Sequence, residues 1–182
     1  MYSTDQLFAD ASGYGTVVAV YDGQAPLHVQ RVGTQLRRLD PADSASFLDQ
    51  KYCQVVAGQV PHVYRVWDTN ETRTWAGVPP REGAFMLGKL VPHQRGLWVS
   101  PMRPTNMVDY RQFTALKHTW NRADFVLDAS LASGVCFFAG RAAPQSEMVR
   151  GVSKHFTGGA VQIFLPRDQF GYLRLNTWWA VQ

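Results

Sequence analysis

The sequence predicts an α+β fold built on a mostly antiparallel sheet. Helical periodicity falls early in the chain and alternating apolar stretches dominate late, an order that argues against a doubly wound parallel sheet. Size supports one unit: 182 residues with 46% hydrophobic and 18% charged side chains fill a single good core and do not divide into two ordinary domains.

Residues 16–21 and 26–32 flank Asp22-Gly23-Gln24-Ala25, where Asp-Gly supplies the positive φ of a tight reversal, so they predict a hairpin. Asp40 before Pro41 reads as an N-cap with proline in the first turn. Ala45, Leu48, Tyr52, Val55 and Val56 then fall on one helical face, and Gly58 closes the helix. Residues 1–58 are thus expected to form a hairpin-helix appendage to a main unit at 59–182. His62–Trp67 reads as a strand, 68–82 as loop, and Gly96–Ser100 as a short strand stopped by Pro101. Thr105 or Asn106 caps a helix running through Trp120, with Tyr110, Phe113, Leu116 and Trp120 roughly in register. Beyond it the chain turns to β, at 125–131, 135–138, 160–165 and 172–175 followed by Trp178-Trp179.

Composition excludes some function classes. No apolar run approaches the roughly 18 residues of a membrane span, and the first five residues lack the basic, then apolar, start of a signal peptide, so a soluble chain is expected. A net charge of +4 suits an anionic ligand, but Lys and Arg are scattered, which suggests a phosphate-bearing small molecule at least as well as nucleic acid. Cys53 and Cys136 stand far apart without metal-ligand spacing and read as buried thiols. The five histidines show no HxxxH or HExxH pattern. Gly83-Ala84-Phe85-Met86-Leu87-Gly88-Lys89-Leu90 fits the skeleton of a phosphate-binding P-loop. It fails because Leu90 replaces the metal-binding hydroxyl, no buried strand precedes it, and Pro92 breaks the helix that must follow.

One stretch calls for a chemical reading: Gly158-Gly159-Ala160-Val161-Gln162-Ile163-Phe164-Leu165-Pro166. With period two, Val161, Ile163 and Leu165 share a face and Ala160, Gln162 and Phe164 share the other. If the first face packs the core, Gln162 points into a cleft or solvent. The glycines ahead of it let a ligand approach the main chain closely.

Taken with Gly140-Arg141-Ala142-Ala143-Pro144-Gln145 before it and Gly171-Tyr172-Leu173 after it, this stretch resembles the C-terminal signature of the tuberculosis-necrotizing-toxin family of NAD glycohydrolases. Gly96-Leu97-Trp98-Val99-Ser100-Pro101 is similar to that family's Gly-x-Phe-Leu-Ser-Pro element, and Tyr110-Arg111-Gln112-Phe113-Thr114-Ala115-Leu116 to the segment that follows it. Order and spacing agree from about Val63 to Tyr172. The same strand resembles the broader ADP-ribosyltransferase superfamily, which implies a split antiparallel sheet. Aligning Leu165-Pro166 then puts Gln162 at the catalytic glutamate position and Ala160 at the acceptor-directing one. Two departures stand out: Asn121-Arg122-Ala123-Asp124 lacks the family's histidine, and Ala160 replaces one of its glycines.

The resemblance implies cleavage of NAD+ or NADP+ to nicotinamide and ADP-ribose, with no cofactor beyond that substrate. It also implies the lifestyle of a toxin exported by a dedicated secretion system and paired with an immunity protein. The superfamily's first strand carries an arginine that grips the NAD phosphates, and Arg65 in Val63-Tyr64-Arg65-Val66-Trp67 is the match, so the resemblance makes Arg65 and Gln162 the expected catalytic residues. Arg65, with Arg111 beside it, or instead Arg73 or Arg81, would hold the pyrophosphate, Ser100 would meet the nicotinamide ribose or shape the pocket, Trp67, Phe137 or Phe138 would cover the nicotinamide ring, and Gly159 would give close backbone approach. An amide cannot deprotonate an acceptor as a carboxylate does, so hydrolysis is expected over transfer to protein or nucleic acid. A transferase and a silent binding module on the same fold are the rival expectations.

Overall fold

Alternation decides most of the strands. The computed structural model describes residues 17–21, 39, 41–48, 51–55, 60–68 and 96–181. In chain order the elements are β1 (Val17–Tyr21), α1 (Pro41–Ser44), β2 (Lys51–Val55), β3 (His62–Trp67), β4 (Gly96–Val99), α2 (Met107–Thr114), β5 (Phe125–Leu131), β6 (Cys136–Arg141), β7 (Gln145–Val149), β8 (Val152–Phe156), β9 (Val161–Pro166), a 3-10 helix (Arg167–Tyr172) and β10 (Leu173–Ala180). The protein is α+β, and every described strand pairing is antiparallel.

A five-stranded sheet in the order β1-β2-β6-β9-β4 faces a three-stranded sheet in the order β10-β5-β3, and β7 pairs with β8 as a separate hairpin. Both sheets feed one core: Val161, Ile163 and Leu165 of β9 meet Val63 and Trp67 of β3 and Leu127, Ala129 and Leu131 of β5. The pleat therefore turns Gln162 and Phe164 to the other side of the five-stranded sheet. There Phe164, Phe138, Phe47 and Leu39 form a smaller cluster with Trp98 packed against it, so the segment around α1 covers that outer face. Cys53 and Cys136 are both buried, as their isolation in the sequence implies.

Two helices are shorter than their periodicity suggests. The expected helix over 41–57 stops at Ser44, and 51–55 is the strand β2, paired with β1 on one side and β6 on the other. Cys53 and Val55 are almost wholly buried in the main core, a two-residue repeat that a helical face at Tyr52, Val55 and Val56 does not produce. β1 and β2, which fall within the segment expected as an appendage, extend the same sheet as β6 and β9. Asn106 caps α2 by accepting from the Val108 N–H at 2.9 Å, but α2 ends at Thr114 rather than Trp120. Ala115 takes a left-handed conformation at φ 53° and closes the helix.

The hairpin β7–β8 was not expected. It turns at Arg150-Gly151, both at positive φ, without the Asn-Gly or Asp-Gly pair that marks such turns in sequence. Residues 26–32, Asp40, Gly58, Arg73, Arg81 and the stretch 83–90 lie outside the described residues.

Candidate functional site

The C-terminus of α2 leaves carbonyls that need donors, and the stretch from Gly158 to Gln162 supplies them. The Gly158 N–H donates to Gln112 O at 3.0 Å, the Ala160 N–H to Phe113 O at 3.0 Å, and the Gln162 Nε2 to Thr114 O at 2.7 Å. Arg111 O is closed by the Ala115 and Leu116 N–H groups. Gln162 is therefore half-buried beside a helix end and belongs to its cap.

Gly158 is the residue this docking requires. It sits at φ 69°, and a Cβ there would overlap the Ala142 carbonyl oxygen; Gly159, at φ 93°, has open space around the same position. Gly158→Ala is expected to destabilise by about 2 kcal/mol or more, and Gly159→Ala by about 1 kcal/mol, since only the first adds a steric clash to left-handed strain. Thermal melts of the two variants check this; equal melting shifts would count against it.

The amide of Gln162 has a fixed sense. A carbonyl can only accept, so the nitrogen must face Thr114 O and the Oε1 is turned the other way. Oε1 takes no hydrogen bond from any described residue. The Gln162 side chain, its amide oriented in this way, lines a cavity of about 360 Å³.

The floor of that cavity is the outer face of the five-stranded sheet, with Trp98 of β4 beside Gln162. Its walls are Asp43 and Ser46 of the α1 segment, the turn after α2 with Trp120 and Asn121, and Gln145 of β7. Arg65 enters from the other sheet. It shares a strand face with Trp67, so its guanidinium lies 4.8 Å above that ring while its NH1 donates to Trp98 O at 2.9 Å. The backbone of Tyr64 and Ser100 exchanges hydrogen bonds of 2.7 and 2.8 Å, and this bridge brings β3 against the end of β4. The structure thus places Arg65 and Gln162, from different sheets, on one cavity.

The other expected site residues stand elsewhere. Arg111 is only 6% exposed and turned inward, donating to Leu116 O, Lys117 O and Asn121 O; it shapes the turn and is not among the cavity walls. Burial lowers its pKa, while the charges of Glu147, Asp124 and Asp68 oppose that shift. Ser100 is buried, donating from Oγ to Val161 O at 2.8 Å and accepting from the Met102 N–H, so it joins β4 to β9 beneath the site. The buried Tyr110 phenol is raised far above its ordinary pKa by desolvation, which outweighs the opposing charge of Arg65. Phe137 and Trp67 are core residues, and Phe138 belongs to the outer cluster; none faces the cavity. Both faces of this sheet are covered, so adjacent phenylalanines are buried on opposite sides. Gly159 is exposed and donates to Ala142 O at 2.9 Å.

Two groups were missed in the sequence. Glu147 of β7 holds the turn after α2 through four bonds: Oε1 accepts from the His118 N–H at 2.9 Å and from His118 Nδ1 at 2.6 Å, and Oε2 from the Thr119 N–H at 3.1 Å and Oγ1 at 3.0 Å. Burial alone would raise its carboxyl, but these bonds outweigh burial and hold it down to about 2. Arg111 thus gathers the carbonyls of this turn while Glu147 gathers its N–H groups. The second group is Trp120, which Lys117 contacts with its ammonium 3.9 Å from the ring centroid.

No protein-family model matches the chain. No curated protein matches it either. Among solved structures the chain is similar to the structure of Tne2 in complex with Tni2, at a TM-score of 0.44 and 15% identity, covering 70% of this chain and 97% of that one. Among the described residues, no helix is long and apolar enough to cross a membrane.

Proposed function

We propose that the chain is an NAD+ or NADP+ glycohydrolase that acts as a toxin. The observation that carries this reading is the meeting of Arg65 and Gln162 on one cavity, which is what the sequence resemblance asks of those two positions. Its volume of about 360 Å³ falls at the small end of the range for ligand sites, the size of one mononucleotide half of a dinucleotide.

The chemistry asks little of the protein. The bond from ribose C1′ to the nicotinamide nitrogen breaks with its electron pair going to the cationic ring, which leaves neutral without a general acid. A water molecule adds to C1′ and sheds its proton to solvent. The protein fixes the substrate and favours the developing ribose cation. Arg65 binds the pyrophosphate, and the Gln162 Oε1 accepts from a ribose hydroxyl or from the attacking water. Ala160 places no polar side chain beside Gln162 to direct a protein or nucleic-acid acceptor, which supports hydrolysis over transfer. A toxin of this kind requires an immunity partner in the producing cell.

The test is nicotinamide release from NAD+ by the purified chain, followed by chromatography with labelled ADP-ribose as the second product. Arg65→Ala is expected to lower release by about 10- to 150-fold, the loss of one charge-assisted contact of about 1.5–3 kcal/mol. Arg65→Lys recovers little, because an ammonium does not reproduce the fork. No release by the wild-type chain, or label on protein or nucleic acid ahead of free ADP-ribose, overturns the reading.

A further inference from the structure

The cavity holds about one mononucleotide half, so the remainder of a dinucleotide must lie across its rim. The rim residue suited to receive it is Trp120, an indole that lines the cavity and is yet 51% exposed. Large aromatic side chains left half in water at a cavity edge have an uncovered face, and a planar base covers it.

The position is built. Trp120 closes a turn through its N–H to Lys117 O at 3.2 Å, and Asn121, its neighbour, is buried with Nδ2 donating to Val66 O at 3.2 Å. Arg111 holds Asn121 O at 2.8 Å, and Glu147 fixes His118 and Thr119 immediately before Trp120. The indole stands on a turn clamped from two sides, so little order has to be gained when a ring stacks on it.

The turn also selects between the two rings of the substrate. The Lys117 ammonium sits over the indole, 3.9 Å from its centroid. A cationic nicotinamide ring on the opposite face meets that charge through the thickness of the indole, where like charges repel. A neutral adenine does not.

We propose that Trp120, with Lys117 on its far face, is the stacking residue for the neutral adenine base of the dinucleotide, leaving the nicotinamide half to the cavity between Arg65 and Gln162. This deepens the glycohydrolase reading and rests on it for the identity of the ligand. It assigns the orientation of the substrate and gives the chain an adenine contact that neither Trp67 nor Phe137 supplies.

The test is calorimetric binding of ADP-ribose, which carries adenine alone, and of nicotinamide mononucleotide, which carries the cationic ring alone. Trp120→Ala is expected to weaken ADP-ribose by about tenfold or more and Trp120→Phe by less than about threefold, with nicotinamide mononucleotide changed less than about twofold by either. Lys117→Gln is expected to narrow the preference of the wild type for the adenine ligand. Wild-type affinity for ADP-ribose in Trp120→Ala overturns the proposal. So does equal weakening of both ligands, or a wild-type chain that does not bind ADP-ribose. If Trp120→Ala does not fold, equal loss of both ligands in Trp120→Phe has the same force. Binding is read without turnover: nicotinamide release with unchanged ADP-ribose affinity in Trp120→Ala defeats the stacking residue alone, and loss of ADP-ribose affinity in a chain that releases no nicotinamide defeats hydrolysis alone.

Discussion

Gln162→Glu is expected to lose about 3 kcal/mol of stability at pH 7 and to lower nicotinamide release by about 100-fold, although a glutamate is the residue the ADP-ribosyltransferase resemblance puts at this position. The cause is Thr114 O, 2.7 Å from the Gln162 Nε2. A carboxylate offers that carbonyl no proton, so two acceptors face each other at a half-buried helix end, and the helix carbonyl loses its donor. The side chain must swing away, and the oriented acceptor leaves the cavity wall. Only the protonated carboxyl can donate to Thr114 O, so the folded state raises its pKa above the unfolded value of about 4.3. By linkage the variant is closest to wild type below that value and falls further behind as pH rises through the raised pKa. Melting curves at pH 4 and pH 7 read this directly. A variant that melts like the wild type at pH 7, or falls further behind at pH 4, would show that the Thr114 contact does not govern the position.

The same contact shows what the sequence could and could not convey. That Val161, Ile163 and Leu165 face the core and Gln162 faces away follows from a two-residue repeat in a run of β-formers, and β3 and β5 were legible for the same local reason. Lys51–Val55 was not, because Val55 satisfies a helical face and a strand face alike. Its strand character comes from pairing with β1 and with Phe137 and Phe138 of β6, more than eighty residues away. Arg111 read as a ligand contact, since an arginine on a helix looks alike whether it reaches a phosphate or bends back to Leu116 O and Asn121 O. Trp120 fitted the face of a longer helix, and only the left-handed Ala115, a residue with no propensity for that conformation, moves it onto a turn at the cavity rim. Glu147 sits in a strand of mixed polar residues with no apolar alternation to mark its inward face. Its role is visible only where β7 meets the turn after α2.

That meeting makes Glu147→Ala the most damaging substitution expected on the β7–β8 hairpin. Glu147 is 8% exposed and takes four hydrogen bonds, two of them from backbone N–H groups with no helix or sheet to fall back on. Removing it orphans those donors and leaves the inward-turned Arg111 without the largest of the charges that offset its burial. The expected loss is about 3 kcal/mol, a fall in melting temperature of roughly 6–12 °C for a chain of this size. Since the turn carries Trp120 and Asn121 into the cavity wall, ADP-ribose affinity should fall with it even where the variant is still folded. The pH dependence identifies the carboxylate as the cause. Its folded pKa, about 2, lies below the unfolded value of about 4.3, so its contribution is fully present above the latter and is lost as pH falls toward 2. Urea unfolding at pH 6 and pH 3 should therefore show the wild type losing stability across that interval, and Glu147→Ala losing less. Equal losses in the two proteins would place the acid-sensitive group elsewhere. Full wild-type stability of Glu147→Ala at pH 6 would mean that the turn after α2 is held by Arg111 alone.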